Sequence, residues 1–218
     1  MSAIDAKSLA YLAMFPLPDV VLFPGTVLPL HIFEPRYREM ARDVLAGDRF
    51  LAIARLQPGY EADYEGRPAV FETAGIGVIV ADDELDDGRF NLIVQGIGRV
   101  AIEEEHPPEQ SYRRVRARWL GDAVTSRPEL VIGMHGQVLS VCKRLAEVMG
   151  EPGDQLQELA HAATEPSACA DVLAAAILTN ADDRQAMLEA LDPADRLDTV
   201  LERVSLLLAK LAPETGLN

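Results

Sequence analysis

MFPLPDVVLFPGTVLPLHIFEPRYREMARDVL, residues 14–45, decides how the chain is read. Two short runs, 20–23 and 27–33, are rich in β-branched and aromatic side chains and bounded by proline or glycine. That pattern predicts two strands joined by a tight turn at Pro24-Gly25. Pro16, Pro18, Pro24 and Pro29 have no N–H to give to a ladder, so these strands are expected to be short, edge-like or kinked. Pro35 suits the first turn of a helix, where a missing N–H costs little, and Glu34 precedes it as a weak cap. Tyr37, Met40, Ala41, Val44 and Leu45 then recur at three- and four-residue spacing, the mark of a buried helix face, and Gly47 stops it.

Working outward, residues 1–12 read as a flexible leader. Residues 50–55 form a continuous apolar strand, and 57–68 a turn-rich loop carrying Tyr60 and Tyr64. Residues 69–80 predict a strand with Gly75 and Gly77 inside it, where interior glycines signal a bulge or a close backbone approach. An acidic turn at 82–88 leads to a returning strand at 89–94. Gly96-Ile97-Gly98 is expected to break the chain before a further strand at 99–103. Residues 112–120 alternate, with Val115, Ala117 and Trp119 pointing one way and Arg114, Arg116 and Arg118 the other. That arginine face is the one basic strip, and solvated pairing with the chain's own acidic helices or with a client's acidic segments is its expected use. So many glycine-kinked strands fit a small curved sheet or a partly closed barrel.

The pattern changes near Val124. Ser126 and Glu129 read as a capping box, followed by Leu130, Met134, Val138, Val141, Leu145 and Val148 at helical spacing. Helices are expected from about 154 to 163, after Ser167, after Asn180 and after Asp192-Pro193, making five in a bundle. Strands followed by helices predict an α+β protein with a β-rich lobe at 13–122, a helical lobe at 123–212 and a tail at 213–218.

The formal net charge is −15. Phosphate contacts demand a basic surface, so nucleic acid and anionic membranes are not expected partners. The longest apolar run, 172–178, is far too short to span a bilayer, and the N-terminus makes a poor signal peptide. Cys142 and Cys169 read as two buried thiols in a reducing cytoplasm.

Chemistry-bearing motifs are missing. None of Lys7, Lys143 and Lys210 follows a glycine, so no Gly-x-x-x-x-Gly-Lys phosphate loop exists. Ser140 and Lys143 lie three apart on one helix, but the apolar stripe explains that helix and nothing there activates a serine. His31, His106, His135 and His161 are scattered, with no paired-ligand spacing. The run 82–88 fails as a calcium loop, because Asp87 stands where glycine is needed and Ile93 where a bidentate glutamate is needed. No catalytic, cofactor-binding or metal-binding residue is therefore assigned.

LPLHIFEPRYREM after VVLFPG resembles the N-terminal, substrate-binding domain of the Lon ATP-dependent proteases. LDDGRFNLIVQGIGRVAIEE at 85–104 is similar to that family's hairpin and following strand. The segments around Asp171, 184–189 and 195–197 are similar to its helical subdomain, so the resemblance runs from about 14 to 211. It implies a PUA-like pseudo-barrel followed by a helical bundle. It also implies a non-catalytic module, without the family's ATPase and protease domains, that binds unfolded or tagged polypeptides, with a separate Lon-type protease as a candidate partner. Phe33, Tyr37, Tyr60 and Tyr64 are the candidate peptide contacts, in an apolar groove or sheet edge between the lobes. Glu34 and Arg36 read as a cap and ion pair fixing the helix start. The alternatives are a small-molecule-binding or partner-specific adaptor, and a hydrolase acting alone.

Overall fold

The protein is described from a computed structural model, in which residues 4–64, 66–125 and 127–211 are placed. It divides into two compact units, Met1–Gly121 and Asp122–Asn218.

The first unit is built on one mixed sheet of six strands: β1 (Leu12–Leu17), β2 (Val27–Ile32), β3 (Phe50–Arg55), β4 (Thr73–Glu84), β5 (Phe90–Glu105) and β6 (Arg113–Leu120), in the order β2-β5-β4-β3-β1-β6. β5 is the long organiser. One edge pairs with β4 along most of its length. The other pairs with β2 from Phe90 to Gln95 and with β6 from Arg99 to Glu105. The β5–β6 pairing closes five strands into a ring, and β2 is left as a sixth strand outside it. β1 and β3 run parallel, which requires a crossover. The chain between them supplies it with β2 and helix α2 (Pro35–Ala46).

Alternation along the strands produces two cores. Leu12, Met14, Ala52, Ala54, Ala74, Ile76, Val100, Val115 and Ala117 point into the ring. A five-stranded ring is narrow, and its several alanines fit that taper. Residues of opposite parity, among them Phe15, Leu51, Ile53, Leu92 and Val94, face outward and are covered by Tyr37, Met40, Ala41 and Val44 of α2. Leu45 is only partly buried against this second core.

Several sequence-based expectations change. Residues 20–23 are not a strand; the strand is Leu12–Leu17, which begins at the last residue of the supposed leader and includes Pro16. The leader also holds a short helix, α1 (Ala6–Ala10), whose first turn is capped by Asp5 accepting from the Ser8 N–H at 2.8 Å. Val21, Leu22 and Phe23 are buried instead as an extended crossing over β4 and β5. A Cβ at Gly75 would lie 2.1 Å from the Leu22 carbonyl oxygen, and one at Gly96 2.1 Å from that of Phe23. The close approach predicted for Gly75 is therefore this crossing. β5 runs unbroken through 96–98, where a bulge at Ile97 marks its change of partner from β2 to β6. Trp119 does not join the inward face; it is 39% exposed, and its ring lies over Gly98. The arginine strip meets the acidic end of β5 and helix α2, with Arg116 on Glu104 at 3.0 Å, Arg118 on Glu103 at 3.1 Å and Arg114 on Asp43 of α2 at 3.9 Å.

The second unit holds five helices: α3 (Pro128–Met149), α4 (Glu151–Ala162), α5 (Pro166–Ile177), α6 (Ala181–Glu189) and α7 (Pro193–Leu211). Asn180 caps α6 by accepting from the Asp182 and Asp183 N–H groups at 2.7 and 3.2 Å. Ser126 of the expected capping box lies outside the described residues, as does the tail at 213–218. The α3 stripe is rotated from the one expected. Val131, Met134, Val138, Cys142 and Leu145 are buried, while Leu130 and Val148 are exposed. Cys142, a small hydrophobe, completes the spacing that Val141 was assigned. Leu173 of α5 and Leu197, Val200 and Val204 of α7 are buried in the same unit.

Candidate functional site

A cleft of about 280 Å³ opens in the β-rich unit. The first turn of α2 supplies Arg36 and Tyr37, the loop after β3 supplies Leu56, Tyr64, Arg67 and Pro68, and the loop before β6 supplies Pro108, Gln110 and Ser111. Pro16 of β1, Gly66, Tyr112 and Arg113 complete it.

Pro35 begins α2 with the fixed φ a helix start wants. Glu34 stands at the cap position but makes no side-chain bond to a helix N–H. Its carboxylate accepts from Arg36 Nε at 3.0 Å instead. The Arg36 guanidinium lies over the Tyr37 ring at 4.7 Å and the Tyr64 ring at 5.6 Å, and the Tyr64 hydroxyl reaches Glu34 at 3.5 Å. Tyr37 packs on Phe15 with ring centroids 4.4 Å apart, and burial pushes its phenol up to about 12. It stays a neutral hydroxyl at every ordinary pH.

On the opposite wall, Arg113 holds Glu105 through two bonds of 2.9 and 2.6 Å and donates a third to the Pro68 carbonyl at 2.8 Å. Arg67 pairs with the same carboxylate at 3.1 Å. Ser111 donates to Glu39 at 2.7 Å and Tyr112 to Asp43 at 2.8 Å, tying this loop to α2.

Of the candidate contacts named from the sequence, Tyr37 and Tyr64 line the cleft, with Tyr37 largely a core residue. Tyr60 borders it through Tyr64, ring centroids 6.2 Å apart. Phe33 is not in the lining; it is 60% exposed beside the His31 ring, 6.3 Å away. Sequence reasoning missed Arg67 and Arg113. Arg113 had a signal: it shares strand parity with inward-facing Val115 and Ala117, so a buried, paired arginine was readable there.

Ser140 and Lys143 are both exposed on α3. Among the described residues, no group of three or more His, Cys, Asp or Glu is placed to hold a metal ion, and no helix is long and apolar enough to cross a membrane. Asp82, Glu84 and Asp87 of the acidic hairpin pair with Arg49, Arg42 and Arg89 respectively.

A closed barrel carrying a side cleft, followed in sequence by a five-helix unit, defines an α+β module of two units. A family model described as the ATP-dependent protease La (LON) substrate-binding domain matches residues 11–205, and the chain belongs to that family. It is 26% identical over 191 residues to Lon protease 2 of Myxococcus xanthus, covering 88% of this chain and 23% of that protein. It is 28% identical over 209 residues to the Lon protease of Roseiflexus castenholzii, covering 93% and 25% respectively. The chain thus spans about a quarter of the length of these curated relatives. The N-terminal domain of a Mycobacterium avium complex Lon protease has the same fold, with a TM-score of 0.67 at 21% identity over 89% of this chain and 98% of that one. A Lon N-terminal domain protein from Xanthomonas campestris gives 0.64 at 23% identity, over 88% and 97%.

Proposed function

We propose that this protein is a non-catalytic module that binds exposed segments of unfolded or tagged polypeptides. The observation that carries the reading is the match of a substrate-binding-domain family across residues 11–205. The cleft supports it physically. Tyrosine faces offer contact area at low entropic cost, and a concave wall holds Arg36 and Arg67 where a peptide reaches them. Tyr64 is the central contact, Tyr60 and Tyr37 support it, and Phe33 adds an exposed aromatic beyond the cleft. Unfolding and cleavage fall to ATPase and protease domains, on the same polypeptide or on a separate Lon-type protease. We place the module in the cytoplasm, where buried free thiols such as Cys142 and Cys169 stay reduced.

The test is titration of a dye-labelled, permanently unfolded model client into the purified protein, read by fluorescence anisotropy. Saturable binding by the high micromolar range is expected, weakened by Tyr64→Ala. A flat titration across that range sinks the reading.

A further inference from the structure

We propose that the cleft captures the C-terminal carboxylate of a bound polypeptide, an inference that rests on the polypeptide-binding reading. Among the described residues, the charged side chains lining the cleft are all cations: Arg36, Arg67 and Arg113. Their counter-ions, Glu34 and Glu105, pair with them from outside the lining. Arg67 and Arg113 share the single carboxylate of Glu105. An arginine-lined cleft contrasts with a chain whose formal net charge is −15. Pro16, Leu56, Pro68, Pro108 and Tyr37 form low-dielectric walls, which strengthen the field inside a cleft.

A carboxylate presents two oxygens in a plane, the shape a guanidinium fork recognises, and charge-assisted bonds of this kind are about twice as strong as neutral ones. Arg67, 35% exposed, gives Nε to Glu105 and Nη1 to the His106 carbonyl at 3.4 Å, so Nη2 is the donor that reaches an incoming carboxylate. Gln110 lines the same cleft and adds a neutral amide donor. The size selects a chain end. At about 280 Å³ the cleft falls just below the range for small ligands, roughly 300–1,000 Å³. It seats a terminal residue and its neighbour, not a segment passing through. The tyrosine and proline walls favour an apolar or aromatic last side chain.

Three ten-residue peptides with an N-terminal dye test this. All end in Leu-Phe and are otherwise uncharged. One has a free carboxylate, one a C-terminal amide, and one a C-terminal amide with a single internal Glu. The expected result is that the free-carboxylate peptide binds about tenfold or more tightly than both amides. Arg67→Gln removes that advantage. Arg118→Gln, the same charge change on the arginine strip of β6, leaves it intact. Equal saturable binding by all three peptides overturns the carboxylate proposal and leaves the polypeptide reading standing. Recovery of affinity by the internal Glu overturns the commitment to a chain end. Binding by none of them removes both.

Discussion

Arg196 of α7 donates to both carboxylate oxygens of Asp171 on α5, at 2.9 and 3.0 Å, with both side chains shut off from solvent. The same guanidinium also pairs with Asp122, at the beginning of the helical unit. Buried ions are tolerated only when paired, so this contact fixes α5, α7 and the chain entering the unit in one arrangement. Removing one partner strands the other charge. Arg196→Ala is expected to destabilise the helical unit by about 3–5 kcal/mol. The double change Arg196→Met with Asp171→Leu is expected to restore most of that, because half-exposed Asp122 can be solvated alone. Urea titration followed by far-UV circular dichroism reads the helices. Fluorescence of Trp119, the chain's one tryptophan, reads the barrel separately.

The barrel makes a sharper demand at two glycines. A methyl group at Gly75 or Gly96 has no room, because the crossing backbone of Leu22 and Phe23 already fills the site. Gly75→Ala and Gly96→Ala are each expected to cost about 3 kcal/mol or to yield insoluble protein, since backbone cannot step aside as a flexible side chain does. Gly136 on α3 is the opposite case: a Cβ there meets nothing within 4 Å. Gly136→Ala is expected to stabilise the protein by about 1 kcal/mol through helix propensity alone. Melting temperatures of the three variants decide the matter.

That crossing also explains what the sequence could and could not disclose. Local signals were faithful where one element explains itself: the proline-started helix α2, the apolar strand β3, the Asn180 cap. Gly75 and Gly77 announced a close approach, yet nothing local says that Leu22 and Phe23 are what approaches. An apolar run buried by crossing a sheet has the composition of a strand within it. Gly96 and Gly98 looked like a break because the pattern carries no record that β5 exchanges one neighbour for another between them. In the cleft, Tyr64 and Arg36 were legible as aromatic and charged residues near loops. Arg67 was not, because its role comes from sharing Glu105 with Arg113, a pairing across 38 and 8 positions that only folding creates.

Two aromatics proposed together from the sequence are expected to behave differently. Tyr37 is buried against Phe15, and truncating a packed ring leaves a cavity. Tyr37→Ala is expected to cost on the order of 3 kcal/mol. Phe33 is mostly exposed, so Phe33→Ser is expected to change stability by no more than about 0.5 kcal/mol while weakening client binding. Chemical denaturation and client titration on the same two variants separate the roles. A loss of stability in Phe33→Ser would mean that its ring packs where the fold leaves it open.

Cys142 and Cys169 supply a pH signature for the helical unit. Both thiols are free and buried, and burial alone pushes Cys142 to about 11; at Cys169, also about 11, the nearby Cys142 adds to the effect of burial. An unfolded thiol ionises near roughly 8.5, so the fold favours the protonated form. The sign follows. Their contribution is complete below the unfolded value and is lost as pH rises toward 11, where the unfolded chain gives up its protons more readily than the folded one. The melting temperature of the helical unit is expected to fall between about pH 8.5 and 11, and the double variant Cys142→Ala with Cys169→Ala to flatten that fall. At pH 8 an aromatic disulfide reagent should leave the native protein unlabelled and label two thiols once urea unfolds it. Prompt labelling of the native protein would show that the helices open around these thiols far more often than their burial implies.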